Sequence, residues 1–180
     1  FKGVTILYAP FFTFPLDDRR KSGFLYPNLG HNSDSGLEVG APWYWNIAPN
    51  QDAVIEPRYY TNRGFMLSGE YRFLTRRTSG SFEGDYLPND KKTREERYRY
   101  LFQHFAVPAE RWNTALIVDR VSDDNYYQDF GTRLGQTSRQ YLRSSAEVRG
   151  VGRYWNLLLM ADDFQVIDEA VPASNEPYRR

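Results

Sequence analysis

Three acidic pairs, Asp17-Asp18, Asp123-Asp124 and Asp162-Asp163, are the first residues whose types could do chemistry. Two carboxylates flanking a bond at a set separation are the apparatus of glycoside hydrolysis. Adjacent residues of a strand point to opposite faces, however, and adjacent acids in loops are usually solvated charges, so the pairs predict no catalytic residue. His31 and His104 stand apart, with no cysteine in the chain and no close acidic partner at a ligand spacing, so neither a metal site nor a cofactor is expected. The loop from Asp123-Asp124-Asn125 to Asp129 offers the oxygen ligands calcium takes. It lacks the glycine and terminal glutamate of a calcium-binding helix–loop–helix. No glycine-rich phosphate loop or nucleophile elbow occurs. The expectation is a protein that is not an enzyme. Nor is it a polyanion binder: 23 basic and 23 acidic residues are interspersed without a one-sign tract, so no nucleic-acid partner is expected.

The elements that would carry such residues are strands. Aromatic residues make up 17% of the chain, yet mean hydropathy is negative and no run approaches the ~18 apolar residues a membrane helix needs. Strands with one greasy and one wet face satisfy both facts, in a transmembrane barrel as in a soluble sandwich or lipocalin-like barrel. Period-two alternation recurs almost throughout. In its clearest case Phe65, Leu67, Gly69, Tyr71 and Phe73 fall on one face, and Met66, Ser68, Glu70 and Arg72 on the other. Phe82, Gly84 and Tyr86 likewise oppose Ser81, Glu83 and Asp85. Turn-forming residues place strands at about 23–33, 37–47, 51–61, 64–75, 80–88, 97–107, 111–121, 138–149 and 153–168. About ten tilted residues at ~3.3 Å each rise about 25 Å, the height of an outer-membrane apolar band.

Connections after the even-numbered strands are short, whereas Asn89 to Glu96 and Ser122 to Thr137 are long and polar. Short turns at one end and long loops at the other are the asymmetry of an outer-membrane barrel. Trp43, Trp45, Tyr59, Trp112 and Trp155 lie near strand termini, as an aromatic girdle at the lipid headgroups requires. Residues 1–20 differ: a strand at Val4–Tyr8, a proline-interrupted apolar stretch and a charged run read as the end of a preceding domain and a linker. Both ends of the chain read as mid-protein.

Two prolines interrupt this pattern. Pro27 lies in the first barrel-like strand and Pro42 in the second. With the turn centred near Ser35, Pro27 is expected to face Trp43 or its neighbour, and Pro42 to face Asn28. Both would then lie at one height, about 25 Å from the turn. Neither has an N–H to donate, and interior strand proline is usually confined to edges or bulges. An edge blunted against aggregation and a seam weakened for sideways passage both satisfy this, and the chemistry leaves the two open.

The run Asp17-Asp18-Arg19-Arg20-Lys21-Ser22-Gly23-Phe24-Leu25-Tyr26-Pro27-Asn28, with Pro42-Trp43-Tyr44-Trp45-Asn46-Ile47-Ala48-Pro49-Asn50, resembles the LptD family (also called OstA or Imp) of lipopolysaccharide-assembly barrels. Phe73-Leu74, Asp85-Tyr86-Leu87-Pro88 and Arg120-Val121-Ser122-Asp123 extend the likeness over nearly the whole chain. The resemblance implies an all-β protein: the end of a periplasmic β-jellyroll over 1–20, then roughly the first nine strands of a larger antiparallel up-and-down transmembrane barrel over 21–180. It implies lipopolysaccharide transport to the outer leaflet of the Gram-negative outer membrane. The partners implied are membrane lipid, an LptE-type lipoprotein plug and an LptA-type periplasmic bridge. It makes Pro27, Asn28 and Pro42 a lateral gate. Glu70, Arg72, Glu83, Asp85 and Arg99 would face a watery lumen. The competing expectation is a soluble β-barrel or sandwich that binds a small ligand, with the apolar face of each strand turned inward.

Overall fold

In the computed structural model, residues 20–131 and 139–168 are described. The expected jellyroll end and most of the linker lie outside them, as does the first residue of the strand expected at 138–149.

The described residues form one antiparallel sheet. Its segments are β1 (Gly23–Phe24), β2 (Asn28–Asn32), β3 (Gly36–Gly40), β4 (Trp43–Ala48), β5 (Gln51–Tyr60), β6 (Gly64–Leu74), β7 (Thr78–Leu87), β8 (Arg97–Ala106), β9 (Trp112–Val121), β10 (Tyr141–Val151) and β11 (Asn156–Val166). From β5 onward each strand pairs with the next in the chain. Before it, β1 and β2 are two halves of one broken strand and β3 and β4 of another: β1 pairs β4, β2 pairs β3, and both β3 and β4 pair β5. The path is thus the nine-strand meander the turn spacing predicts, with its first two members interrupted. Among the described residues no helix is long and apolar enough to cross a membrane.

In β6 successive residues alternate between two environments. Phe65 and Leu67 are about half exposed, whereas Met66 and Ser68 between them are buried. The burial comes from the long connection after β9, which folds back over one face as a short helix, α1 (Tyr126–Phe130). Its Tyr126 and Tyr127 join Val121, Leu142 and Ile167 in one apolar cluster, and Tyr60, Met66 and Leu87 form another; Phe130 packs against both. The sheet therefore has a covered, mainly polar face and an open face carrying exposed Ile55, Phe65, Leu67, Phe82, Tyr86 and Leu116.

The β9–β10 ladder ends at Ile117 opposite Ser145. Beyond it side chains take over: the Asp119 N–H donates to Ser144 Oγ at 3.1 Å, and Gln165 bonds both the N–H and C=O of Val121, at 3.1 and 2.9 Å. These bonds satisfy buried backbone groups that would otherwise cost free energy.

Candidate functional site

Pro27 and Pro42 sit in the two breaks, and the pairing there departs by about two residues from the sequence expectation. Asn28 is opposite Gly40 rather than Pro42, and Phe24 is opposite Trp43. The hairpin turn is tighter than a centre at Ser35 implies. Gly36, at φ +77°, turns the chain one residue earlier. Pro42 therefore meets Leu25, whose N–H donates to the Pro42 carbonyl at 2.9 Å. In an antiparallel ladder such a pair normally exchanges two bonds, since the N–H and C=O of a residue point to the same neighbour. Proline has no N–H, so the Leu25–Pro42 pair keeps only one.

The same holds on the other side of the second strand. The Ala41 N–H donates to the Pro57 carbonyl at 3.1 Å, and Pro57 cannot return the bond. Pro57 was not singled out from the sequence, although the turn at Ala48-Pro49-Asn50 carried the signal. Counting outward from Pro49 places residue 57 opposite residue 41. Asn28, at the start of β2, donates from Nδ2 to Glu56 Oε1 at 2.6 Å on the covered face.

The five polar residues expected to face a lumen share the covered face. Arg72 donates to Asp52 through Nε and Nη2 at 2.8 and 3.0 Å, with Glu70 3.6 Å away. Arg99 lies 3.1 Å from Glu83 and 3.5 Å from Asp85. Glu70, Glu83, Asp85 and Arg99, with Glu56, Arg58 and Ser68, line a cavity of about 350 Å³ roofed by Tyr126, Tyr127 and Phe130; Arg72 lies outside it. Of the aromatic set, Trp43 and Trp45 pack at 6.0 Å and Trp112 and Trp155 at 5.7 Å, all toward the short-turn end. Tyr59 lies at the long-loop end, under the Lys91 ammonium 5.0 Å from its ring centre.

Sequence reasoning also missed the cluster that fastens α1. Arg63 and Arg97, both nearly fully buried, converge on the buried Asp90 at 2.8 and 3.2 Å. Asp129 bonds both guanidinium groups, Arg63 at 2.6 Å, and Asp123 meets Arg97 at 2.7 Å. The Phe130 ring lies between them, 5.5 Å from Arg63 and 4.9 Å from Arg97. Burial pushes the Asp90 carboxyl up, but the Lys92 backbone N–H, Arg63 and Arg97 outweigh it and hold it below the usual range. Asp34, in the first hairpin turn, is held well below that range by Lys92 and then Arg63. Burial raises the Tyr126 phenol far above its ordinary value, and its OH donates to Asp85 at 3.2 Å. The residues come from five separate connections and strand ends, a convergence with no local signature. Asp123 and Asp129, considered above as calcium ligands, are engaged by guanidinium instead. Among the described residues no cluster of three acidic, histidine or cysteine side chains could hold a metal ion.

An antiparallel meander with an apolar open face, a polar covered face and a first hairpin short of backbone donors has the features of a piece of an outer-membrane β-barrel. Comparison with known sequences is more specific. The family model described as LPS transport system D, LptD, matches residues 95–180. The LPS-assembly protein LptD of Nitrosococcus oceani is 44% identical over 177 residues, covering 98% of this chain and 24% of the relative. That of Cupriavidus necator is 43% identical over 190 aligned residues, covering 100% and 23%, and that of Alkalilimnicola ehrlichii 37% identical over 180, also covering 100% and 23%. The chain belongs to the LptD family, and it spans about a quarter of the length of the curated relatives it matches.

Proposed function

We propose that this chain forms the end of a periplasmic β-jellyroll over 1–20 and, over 21–180, the first nine strands of a transmembrane barrel that moves lipopolysaccharide into the outer leaflet of the outer membrane. The observation that carries the reading is the first hairpin, where the Leu25–Pro42 pair keeps one backbone bond of two beside Pro27. In hydrocarbon no water replaces a missing ladder bond, so such a pair is a weak line between strands. A first hairpin loosened in this way lets the first strand draw away from the barrel's closing strand, and lipid leaves sideways between those two. Pro27, Asn28 and Pro42 are the gate in this reading.

The two faces support it. The open face presents Phe65, Leu67 and Phe82 to what would be acyl chains. The covered face presents Glu70, Arg72, Glu83, Asp85 and Arg99, a wet surface on which a sugar chain can pass. A soluble ligand-binding barrel needs the opposite arrangement. Transport of this kind makes and breaks no covalent bond. An LptE-type lipoprotein inside the closed barrel and an LptA-type bridge below the jellyroll are the partners that go with the proposal.

The test is Pro27→Ala with Pro42→Ala in the full-length protein. Each substitution restores one N–H, worth about 1 kcal/mol in water and more in lipid. The expected result is slower delivery of lipopolysaccharide to the surface and greater sensitivity to large antibiotics. Wild-type behaviour in both assays would remove the gate.

A further inference from the structure

The weak line does not stop at the second strand. Pro57 on β5 leaves the Ala41–Pro57 pair with one bond, next to the Leu25–Pro42 pair with one bond. Three prolines on three consecutive strands thus lie side by side, and the second strand is short of a donor bond on both flanks.

A side chain crosses this line. Glu56 precedes Pro57, and its carboxylate is only 8% exposed. One oxygen accepts from Asn28 Nδ2 at 2.6 Å and the other from Arg58 Nη2 at 2.6 Å. Asn28 and Glu56 are not on paired strands, because β3 lies between β2 and β5. Their bond passes over β3 at Gly40, the residue opposite Asn28 on one side and Arg58 on the other. A Cβ at Gly40 would stand 2.4 Å from Glu56 Oε1, so only glycine leaves the passage clear. A carboxylate acceptor makes this bond roughly twice as strong as a neutral one.

We infer that the seam is three strands wide, with Pro57 as its third proline and Glu56 as the positioning residue that ties the first strand shut across Gly40. The inference rests on the reading of Pro27 and Pro42 as a gate. It makes the first hairpin, rather than the first strand alone, the unit that moves. One lateral bond is absent on each side of residues 41 and 42, and the tie spans the whole hairpin.

The experiment uses the full-length protein with its native partners in lipid nanodiscs. Amide exchange over residues 24–42 is followed by mass spectrometry, and lipopolysaccharide delivery is followed in reconstituted vesicles. Glu56→Ala and Gly40→Ala, which removes or displaces the carboxylate, should each speed exchange over 24–32 by about tenfold. The double variant should be no faster than either. Glu56→Gln keeps only a neutral acceptor and should be intermediate, about threefold faster than wild type. Pro57→Ala should slow delivery as Pro42→Ala does. Wild-type exchange in Glu56→Ala, additive effects in the double variant, or Glu56→Gln as fast as Glu56→Ala would overturn the tie. Wild-type delivery by Pro57→Ala would return the seam to two strands. Normal delivery by Pro27→Ala with Pro42→Ala brings down the gate itself and this inference with it. Slowed delivery there, with Pro57 and Glu56 variants like wild type, rejects this inference alone.

Discussion

The buried charges beneath α1 are the residues on which the covered face depends. Asp90 has no exposed side-chain surface and pairs with two guanidinium groups that are 3% exposed. Removing one partner of a buried ion pair leaves an uncompensated charge, which typically costs 3–5 kcal/mol. Asp90→Ala is therefore expected to destabilise the loop cluster by about 3 kcal/mol, seen as faster protease cleavage within 122–131. Unaltered cleavage would mean water already solvates the two arginines. The cluster also has a pH signature. Asp34 has its folded-state carboxyl lowered from the ordinary 3.8, by Lys92 first and then Arg63. Its contribution is fully present above that ordinary value and is lost as pH falls through the lowered one. Protection of the first turn against protease should stay constant between about pH 5 and about pH 8 and weaken only in strong acid. A transition near neutrality would show that another group controls it.

At the scale of elements, the strands and α1 obey different rules. A strand here is stabilised by two neighbours and its alternation is visible residue by residue, which is why the β6 span expected at 64–75 and the observed Gly64–Leu74 nearly coincide. A helix of five residues cannot hold itself together by backbone bonds. It forms because Phe130 fills the space between two apolar clusters while Asp129 and the arginines fix its end. Ser35 Oγ, donating to the Asp129 carbonyl at 3.1 Å, joins it to the first hairpin turn, 94 residues away. Phe130→Ala should release α1 at a cost of about 2 kcal/mol for a half-buried ring. In planar bilayers the full-length protein would then conduct ions more readily than wild type. Unchanged conductance would show that α1 roofs the cavity without closing any path.

For the whole molecule the decisive property is which way each face looks. Cysteines introduced singly at Phe65, Leu67, Ser68 and Glu70 and labelled with a fluorophore separate the possibilities. In the full-length protein in lipid, labels at 65 and 67 should be quenched by spin-labelled acyl chains, and those at 68 and 70 by aqueous iodide. The reverse pattern would turn the barrel inside out and end the export proposal. The alternation that makes this prediction was legible in the sequence, because a period of two assigns faces without knowledge of any neighbour. The seam was half legible. Pro27 and Pro42 stood out as donors missing from strands, but their partners were displaced by a turn whose tightness depends on Gly36 adopting a positive φ. Pro57 escaped notice because a lone proline gains meaning only when the strand beside it is in register.

Sequence by itself determined the strand content, the order of the meander, the sorting of side chains between two faces and the family. Each of these follows from spacing along one chain or from residue identity. The tertiary structure alone decided what lies across from what: the half-bonded pairs at Pro42 and Pro57, the Glu56 carboxylate passing over Gly40, and the arginine–aspartate cluster under α1. The physical reason is that these contacts join residues up to 66 positions apart. Their geometry is set by register and by a loop folding back, and neither leaves a periodic mark.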